Sequence, residues 1–346
     1  MSFVHLHVHT QYSLLDGANK IDPLIAKAKS ASMPAIAMTD HGNMFGAVEF
    51  FQKASKAGIK PIVGCEVYVA PKSRFDRGGR IDDFEAGGNY HLILLAMNRL
   101  GYQNLCRLVT LSYKEGFYYK PRIDKQLLEE FNGGLIALSG CLASEVNRNI
   151  ARGDLGGART VMEDYRRLFD GRYYVEIQDN HIDEQNVANV ELVRLARELS
   201  LPLVATNDCH YLEKEDAKAH EVLLCIQTGK TLSDEKRFKF GTDQLFVKDG
   251  DEMRAAFPEV PEAIANTLDV AARCDLDLEF GRYQFPVYAP PRGRTLQEHF
   301  VAETRAGLEQ RLAGMRTTEG WNEEKERPYH ERLERELAVI EEMKFP

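Results

Sequence analysis

No stretch of the sequence approaches the ~20 consecutive apolar residues that a membrane-spanning helix needs. The N-terminus, MSFVHLHVHT, lacks the basic and apolar regions of a secretory signal. Cysteine is sparse: six residues, at 65, 106, 141, 209, 225 and 274, with no CxxC pair. That argues against a disulfide scaffold and makes a reducing cytoplasm the expected location. Basic charge is short too. Forty-four Lys and Arg against 53 Asp and Glu leave a net charge of −9, whereas a dedicated duplex-binding module is basic. A basic channel is still allowed, and carboxylates that ligate metal would inflate the acidic count. Repeats and low-complexity tracts are absent. So is a phosphate-cradling P-loop: Thr228-Gly229-Lys230-Thr231 matches its end, but the glycine required five positions before Gly229 is Leu224.

What is present is an alternation of short apolar runs with amphipathic stretches. Strands are expected at Phe3–His7, Ala35–Met38, Pro61–Val69, Tyr90–Ala96, Leu135–Ser139, Arg172–Ile177 and Leu203–Thr206. Helical patterns fall at Asp22–Ala31, Met44–Lys56, Gly101–Tyr113, Ala143–Ile150, Leu155–Phe169 and Glu184–Leu199. Strands alternating with helices imply a mostly parallel sheet. About seven units in roughly 210 residues fit a closed or nearly closed barrel, whose functional groups lie at the C-terminal strand ends. Pro71–Gly88, rich in glycine and charge, reads as an exposed loop, and Tyr288–Thr295, stiffened by Pro290 and Pro291, as a linker. Charged helical stretches follow at Glu298–Leu312 and Tyr329–Met343. The last residues, Lys344-Phe345-Pro346, end without a cap or polar tail, as at a cut within a longer protein.

The N-terminus carries His5-Leu-His7-Val-His9. In a strand these imidazoles share one face, and three in a row are hard to explain by core packing. They point to a metal such as Zn or Fe. Other candidate ligands lie in or near strands: Asp40 and His41, Glu66, His91, Cys141, and Asp208 with His210. Asp208 and His210 can face one site while Cys209 faces away; by the same parity Cys65, next to Glu66, is core. Cys141 could be a nucleophile, but with so many imidazoles and carboxylates converging a thiolate ligand is the better reading. His220 falls on an apolar helical pattern and reads as structural. His181, His299 and His330 read as surface.

The strings HLHVHTQYSLLDGA, MTDHGNMFGAVEF, GIKPIVGCEVYV, LIALSGCLASE and VATNDCHYL resemble the polymerase and histidinol phosphatase (PHP) domain of bacterial DNA polymerase III alpha subunits. So do GYQNLCRLV, EGFYYKPRID and DAKAHEVLLCIQTGKTL, and ELAVIEEMKFP resembles the start of the polymerase palm. The likeness implies an α/β fold, a distorted (β/α)7 TIM-like barrel with its metal site at the C-terminal strand ends, followed by a short, mostly helical segment. The implied boundaries are 1–280 for the metal-hydrolase domain, 281–295 for a linker and 296–346 for the beginning of the palm.

Carried over by position, the implied metal ligands are His7, His9, Asp16, His41, Glu66, His91, Cys141, Asp208 and His210, with Asp208, His210, His41 and Asp16 central to catalysis. Three divalent ions are implied, Zn2+ by default with Mn2+ or Fe as alternatives. One lies among His7, His9, Glu66 and Asp208, one among Glu66, His91 and Cys141, and one among Asp16, His41 and His210. His5, not a ligand in this pattern, is expected to orient one. Lys120 and Arg122 are candidates to grip a substrate phosphate. The implied activity is metal-dependent phosphodiester hydrolysis, as 3′→5′ proofreading of a DNA primer end. One alternative is a non-catalytic, metal-stabilised scaffold that docks a separate exonuclease subunit; another is a free-standing phosphatase for a small phosphomonoester. The implied partners are the primer 3′ end, the rest of the polymerase chain, that exonuclease subunit and other replisome components, with no membrane. The polymerising carboxylates are expected beyond residue 346.

Overall fold

The computed structural model describes residues 2–14, 16–77, 88–282, 286 and 288–345. These form two compact units, Met1–Leu278 and Glu279–Pro346. The strands described in the first unit are β1 Ala35–Met38, β2 Lys60–Val69, β3 Tyr90–Ala96, β4 Arg122–Ile123, β5 Leu135–Leu138, β6 Tyr173–Gln178 and β7 Leu203–Thr206. Its helices are α1 Ile21–Ser30, α2 Ala47–Ala57, α3 Arg99–Lys114, α4 Lys125–Phe131, α5 Glu145–Ala151, α6 Leu155–Phe169, α7 Asp183–Glu198, α8 Ala217–Thr228, α9 Gly250–Ala256 and α10 Pro261–Arg273. The expected insert at Pro71–Gly88 lies in part outside the described residues. Among the described residues no helix is long and apolar enough to cross a membrane.

The sheet runs β1-β2-β3-β5-β6-β7, with β4 added beside β2. The expected α/β class is what forms, with two departures. First, β3 is antiparallel to both β2 and β5, while the other pairs are parallel. Second, Phe3–His7 is not a regular strand: the chain bends at His7. This extended segment nonetheless bridges the free edges of the sheet. His5 and Val8 carbonyls accept from Ala37 and Thr39 beside β1, and His7 and His9 exchange bonds with Cys209 just after β7. On the β1 side one rung is supplied by a side chain, Val8 N–H donating to Thr39 Oγ1 at 2.8 Å.

Nearly every strand residue is buried, so the period-two pattern sorts side chains between two apolar environments rather than between core and water. Ala35, Ala37, Ile62, Ile93, Leu95, Ile136, Leu138, Tyr174 and Val204 come from six strands and pack together with Leu6 as the inner layer. Helix α10 covers one end of this layer with Val270 and Ala271, and Cys274 follows them; Lys60, at the start of β2, donates to the Ala271 carbonyl at 3.0 Å. The outer faces meet the helices: Ile36 and Met38 pack against Leu24 of α1 and Phe50 of α2. Full burial of Phe50 alone contributes about 1.5–3 kcal/mol. Several helices start on side-chain caps: Asn98, Asp124, Ser144 and Asp154 each accept a backbone N–H from the first turn.

The second unit contains α11 Leu296–Met315 and α12 Glu323–Glu342. Thr295 and Glu298 form a capping box at the start of α11. Leu312 and Leu337 are buried, and Arg305 holds Glu334 through two bonds of 3.0 and 2.8 Å.

The joint at Thr39 is testable. Its hydroxyl accepts from Val8 N and donates to Val8 O at 3.1 Å, fully buried. Thr39→Val keeps the shape but strands that N–H, so it should destabilise the chain by about 1–3 kcal/mol. Urea unfolding measures this; a midpoint equal to wild type would contradict the bridging role.

Candidate metal centre

The inner-layer parity continues toward one mouth of the barrel and there changes chemistry. Ile62 is followed two and four residues on by Gly64 and Glu66, Tyr174 by Glu176, and Val204 by Thr206 and Asp208. On the parallel strands the polar groups lie in the C-terminal half or just past the end, Glu66 and Glu176 inside β2 and β6, Thr206 at the end of β7 and Asp208 beyond it, the side on which the barrel rule places functional groups. Because β3 runs the other way, its first residues reach the same mouth, and the parity of Ile93 delivers His91 there. Asp208 follows β7 in a left-handed conformation, φ 50°, which aspartate tolerates better than most residues.

These groups converge. His7 Nε2 lies 3.1 Å from His9 Nε2, 3.1 Å from Asp208 Oδ1 and 3.5 Å from Glu66 Oε1. His9 Nε2 is 3.0 Å from the same Asp208 oxygen and 3.7 Å from Glu66 Oε2. His91 Nδ1 is 2.8 Å from Glu66 Oε1, and Cys141 Sγ is 3.6 Å from that nitrogen and 3.9 Å from that oxygen. His41 Nδ1 contacts Glu66 Oε2, and its Nε2 is 3.2 Å from Asp16 Oδ2. The His210 ring is 4.4 Å from that of His9. Donor atoms of His7, His9 and Glu66, of His41, Glu66 and His91, and of His9, His41 and His210 each lie within 4.8 Å of one another. The nine residues singled out from sequence thus meet at one place, with Glu66 at the centre; His9 also stands with His41 and His210.

A shell of hydrogen bonds fixes the rings. Glu176 Oε1 accepts from His7 Nδ1 at 2.7 Å, while its Oε2 accepts the Gly140 N–H at 3.0 Å. Gln178 and Thr206 also donate to Glu176. Gly140 has φ +90°, and a Cβ there would lie 2.7 Å from the His91 carbonyl oxygen, so only glycine brings Cys141 round beside His91. Ser13 bonds His9 Nδ1 at 3.0 Å and donates to Asp40, which also accepts from Thr10. Asp40 therefore tethers the loop carrying His9 instead of joining the cluster. His220 Nε2 donates to the Asp16 carbonyl at 2.7 Å, holding that loop in place.

Burial and charge oppose each other here. Burial lowers the pKa of His7, but Asp208 and Glu176 outweigh it and raise the pKa well above the usual value. His41 is raised in the same way by Asp16 and Glu66. Burial would raise Glu66, yet His91 and His41 hold its carboxyl well below the ordinary range. Asp16, against its burial, is drawn down to about 2 by His41, and Asp208 is depressed chiefly by His7. Burial drives His210 down to about 4. Burial, with Glu66 and Asp208, raises the Cys141 thiol.

The carboxylates thus favour the protonated forms of His7 and His41, and divalent cations would offer the carboxylates the same compensation in place of those protons. Asp16 Oδ1, His41 Nδ1, Glu66 Oε2, Asp208 Oδ1 and His210 Nε2 are all buried without an aligned hydrogen bond, although His41 Nδ1 faces Glu66 Oε2 and Asp208 Oδ1 lies 3.1 Å from His7 Nε2 and 3.0 Å from His9 Nε2. Several approach one another closely without hydrogen-bond alignment, as donors facing a shared cation do. Mixed imidazole, carboxylate and thiol donors suit Zn and related ions. The residues present fit such ions.

Two expectations change. His5 orients no ligand: the bend at His7 breaks the period-two parity, and His5 bonds the Lys248 carbonyl at 2.8 Å and Cys209 Sγ at 3.4 Å in the core. Arg122 does not reach for a phosphate. It is buried and donates to the Gly116 and Arg74 carbonyls, each at 3.0 Å. Lys120 is exposed at the rim, its ammonium 5.3 Å from the centre of the Tyr68 ring. Glu176 went unnoticed in the sequence, where YYVEIQ shows a lone carboxylate in a strand. Its partners tie it to the centre through His7. Glu176→Gln should weaken divalent-cation affinity by about 10-fold or more, read by competition with a chromophoric chelator; unchanged affinity would contradict the assignment.

Residues 5–180 match the family described as the PHP domain. The chain is 48% identical over 318 residues to the DNA polymerase III subunit alpha of Thermus aquaticus, covering 89% of this chain and 26% of that protein. With the subunit of the same description from Borreliella burgdorferi it shares 44% over 315 residues, 90% of this chain and 27% of the relative. With that of Helicobacter pylori J99 it shares 39% over 369 aligned positions, 100% of this chain and 30% of the relative. The chain therefore spans about a quarter to a third of the length of these relatives. With just over half of its residues matched, and with imidazoles and carboxylates gathered at the barrel mouth, the chain belongs to the PHP domain family.

Proposed function

We propose that this chain is the metal-dependent phosphodiesterase part of a replicative DNA polymerase alpha subunit, and that it removes mispaired nucleotides from a primer 3′ end. The observation that carries the reading is the convergence of buried imidazole and carboxylate donor atoms, several without an aligned hydrogen bond, around Glu66 at the barrel mouth. The names of the relatives point to DNA as the substrate; a cytoplasmic location is part of the same proposal, in keeping with the sparse, unpaired cysteines. In this reading residues 1–280 are the hydrolase domain, 281–295 a linker and 296–346 the beginning of the palm, and the partners are the primer end and the remaining polymerase chain.

Three divalent ions, zinc first, would be held by His7, His9, Glu66 and Asp208, by Glu66, His91 and Cys141, and by Asp16, His41 and His210. When bound they supply the Lewis acidity and charge neutralisation that phosphodiester hydrolysis needs. The chain's own part is positional. Glu176 fixes the His7 ring, Ser13 that of His9 and His220 the Asp16 loop. Side chains of Asp16, His41, His91 and Asp208 remain 12–16% exposed, so the centre opens to solvent on one side. Lys120 stands on the rim, a cation available to a phosphate as it approaches.

A second reading, a metal-stabilised scaffold that docks a separate exonuclease subunit, draws support from the complete burial of His7 and His9. A 3′-mispaired primer, incubated with the cation-loaded chain, separates the two. Nucleotides should be released from the 3′ end, with Asp208→Asn slower by roughly 100-fold, because the variant loses a carboxylate that would hold a cation. A chain that holds its cations yet leaves the primer intact would favour the scaffold, and hydrolysis confined to small phosphomonoesters would overturn both.

A further inference from the structure

The segment from the end of α3 to β4 places aromatic rings in water beside the metal centre. Tyr118 and Lys120 exchange backbone bonds of 3.1 and 2.7 Å, making a tight hairpin with Tyr119 at its apex. Tyr119 has φ 60° and is 60% exposed. An aromatic residue in that conformation is strained, and it persists only where the surroundings fix it. Phe117 and Tyr113, 50% and 42% exposed, lie with ring centres 6.2 Å apart and planes 24° apart. Tyr119 meets Tyr118 edge-on at 4.6 Å. The rings pack on one another yet stay substantially open to solvent.

The hairpin is braced from below and anchored at the centre's edge. Arg122, bonded to Gly116 and Arg74, carries its guanidinium 5.1 Å from the centre of the Tyr118 ring. Pro121 abuts Gly42, the residue after His41: a Cβ on Gly42 would come within 2.8 Å of it. The Lys120 ammonium lies over Tyr68, whose ring is 5.2 Å from His91 and 6.1 Å from His41. Exposed rings interleaved with a cation are what a single nucleic-acid strand recognises, bases stacking on the rings while the cation tracks the backbone. A base-paired end offers such rings only the outer face of its last pair, whereas an unpaired strand can offer the faces of successive bases.

We propose that the Phe117–Lys120 hairpin is a stacking platform for the unpaired terminal bases of a single DNA strand, with Lys120 guiding the phosphate toward the metal centre. This rests on the phosphodiesterase reading and adds the feature that would select frayed, mispaired ends. The test uses the whole 346-residue chain, loaded with zinc. Anisotropy of a labelled oligothymidylate gives affinity; turnover is measured on that oligonucleotide and on methyl p-nitrophenyl phosphate, a diester without bases. Replacing Phe117→Ala together with Tyr119→Gly, the latter suited to the left-handed backbone, should weaken oligonucleotide binding roughly tenfold or more. KM on the oligonucleotide should rise in step, and turnover of the small diester should hold. Tyr119→Phe, which keeps the ring, should bind as wild type does. Undiminished affinity in the double variant would overturn the platform, as would an equal loss on the small diester. Ring-dependent binding by a wild-type chain that hydrolyses neither substrate would support the platform while overturning the phosphodiesterase reading.

Discussion

The structure turns on the Glu66 carboxylate, about 1% exposed and surrounded by imidazoles. A buried charge without compensation would be costly enough to neutralise itself or unfold the site. Here His7, His41 and His91 supply that compensation, and they arrive from three different parts of the chain: the N-terminal segment, the turn after β1 and the start of β3. The carboxylate can be buried only if those three segments are brought together, so the local electrostatics and the closure of the barrel are one requirement. The bridge of residues 5–9 between the sheet's edges meets it, carrying His7 and His9 into the mouth as it closes the ring.

The barrel divides along its axis. One end is an apolar layer of small and branched side chains under α10, which fixes the strand register because a one-residue slip would exchange inner and outer faces. The other end extends the same inward parity with Glu66, Glu176, Thr206 and Asp208. The cost of placing charges there is offset by mutual pairing and by the precision of the hydrogen bonds behind them, from Glu176 to His7 and from Ser13 to His9. The packed layer is thus the platform on which the polar layer can be rigid, and the loops beyond it carry the groups that face solvent.

Much of this is written in the sequence because two periodicities coincide with chemistry. Short apolar runs set between amphipathic stretches marked β1, β3 and β7 to the residue, and the spacing of Asp208 and His210 around Cys209 placed both near the centre with the thiol in the core. What was hidden depends on three-dimensional context. The direction of β3 follows from its pairing, not its composition. His5 and His7 look equivalent until the bend at His7 separates them. Arg122 reads as a free cation until the carbonyls of Gly116 and Arg74 claim it. Glu176 shows no spacing to mark it, since its meaning lies in His7, far away along the chain. The left-handed apex at Tyr119 has no residue signature either, because glycine or asparagine would be the usual choice there.

On this reading Glu66 is shared between cations at the barrel mouth. Anomalous X-ray scattering from zinc-grown crystals of the chain would locate them. Strong peaks are expected among His7, His9, His41, His91 and Asp208, with two of them within bonding distance of the Glu66 carboxylate. A zinc-containing crystal whose only peaks lie away from Glu66 would contradict it.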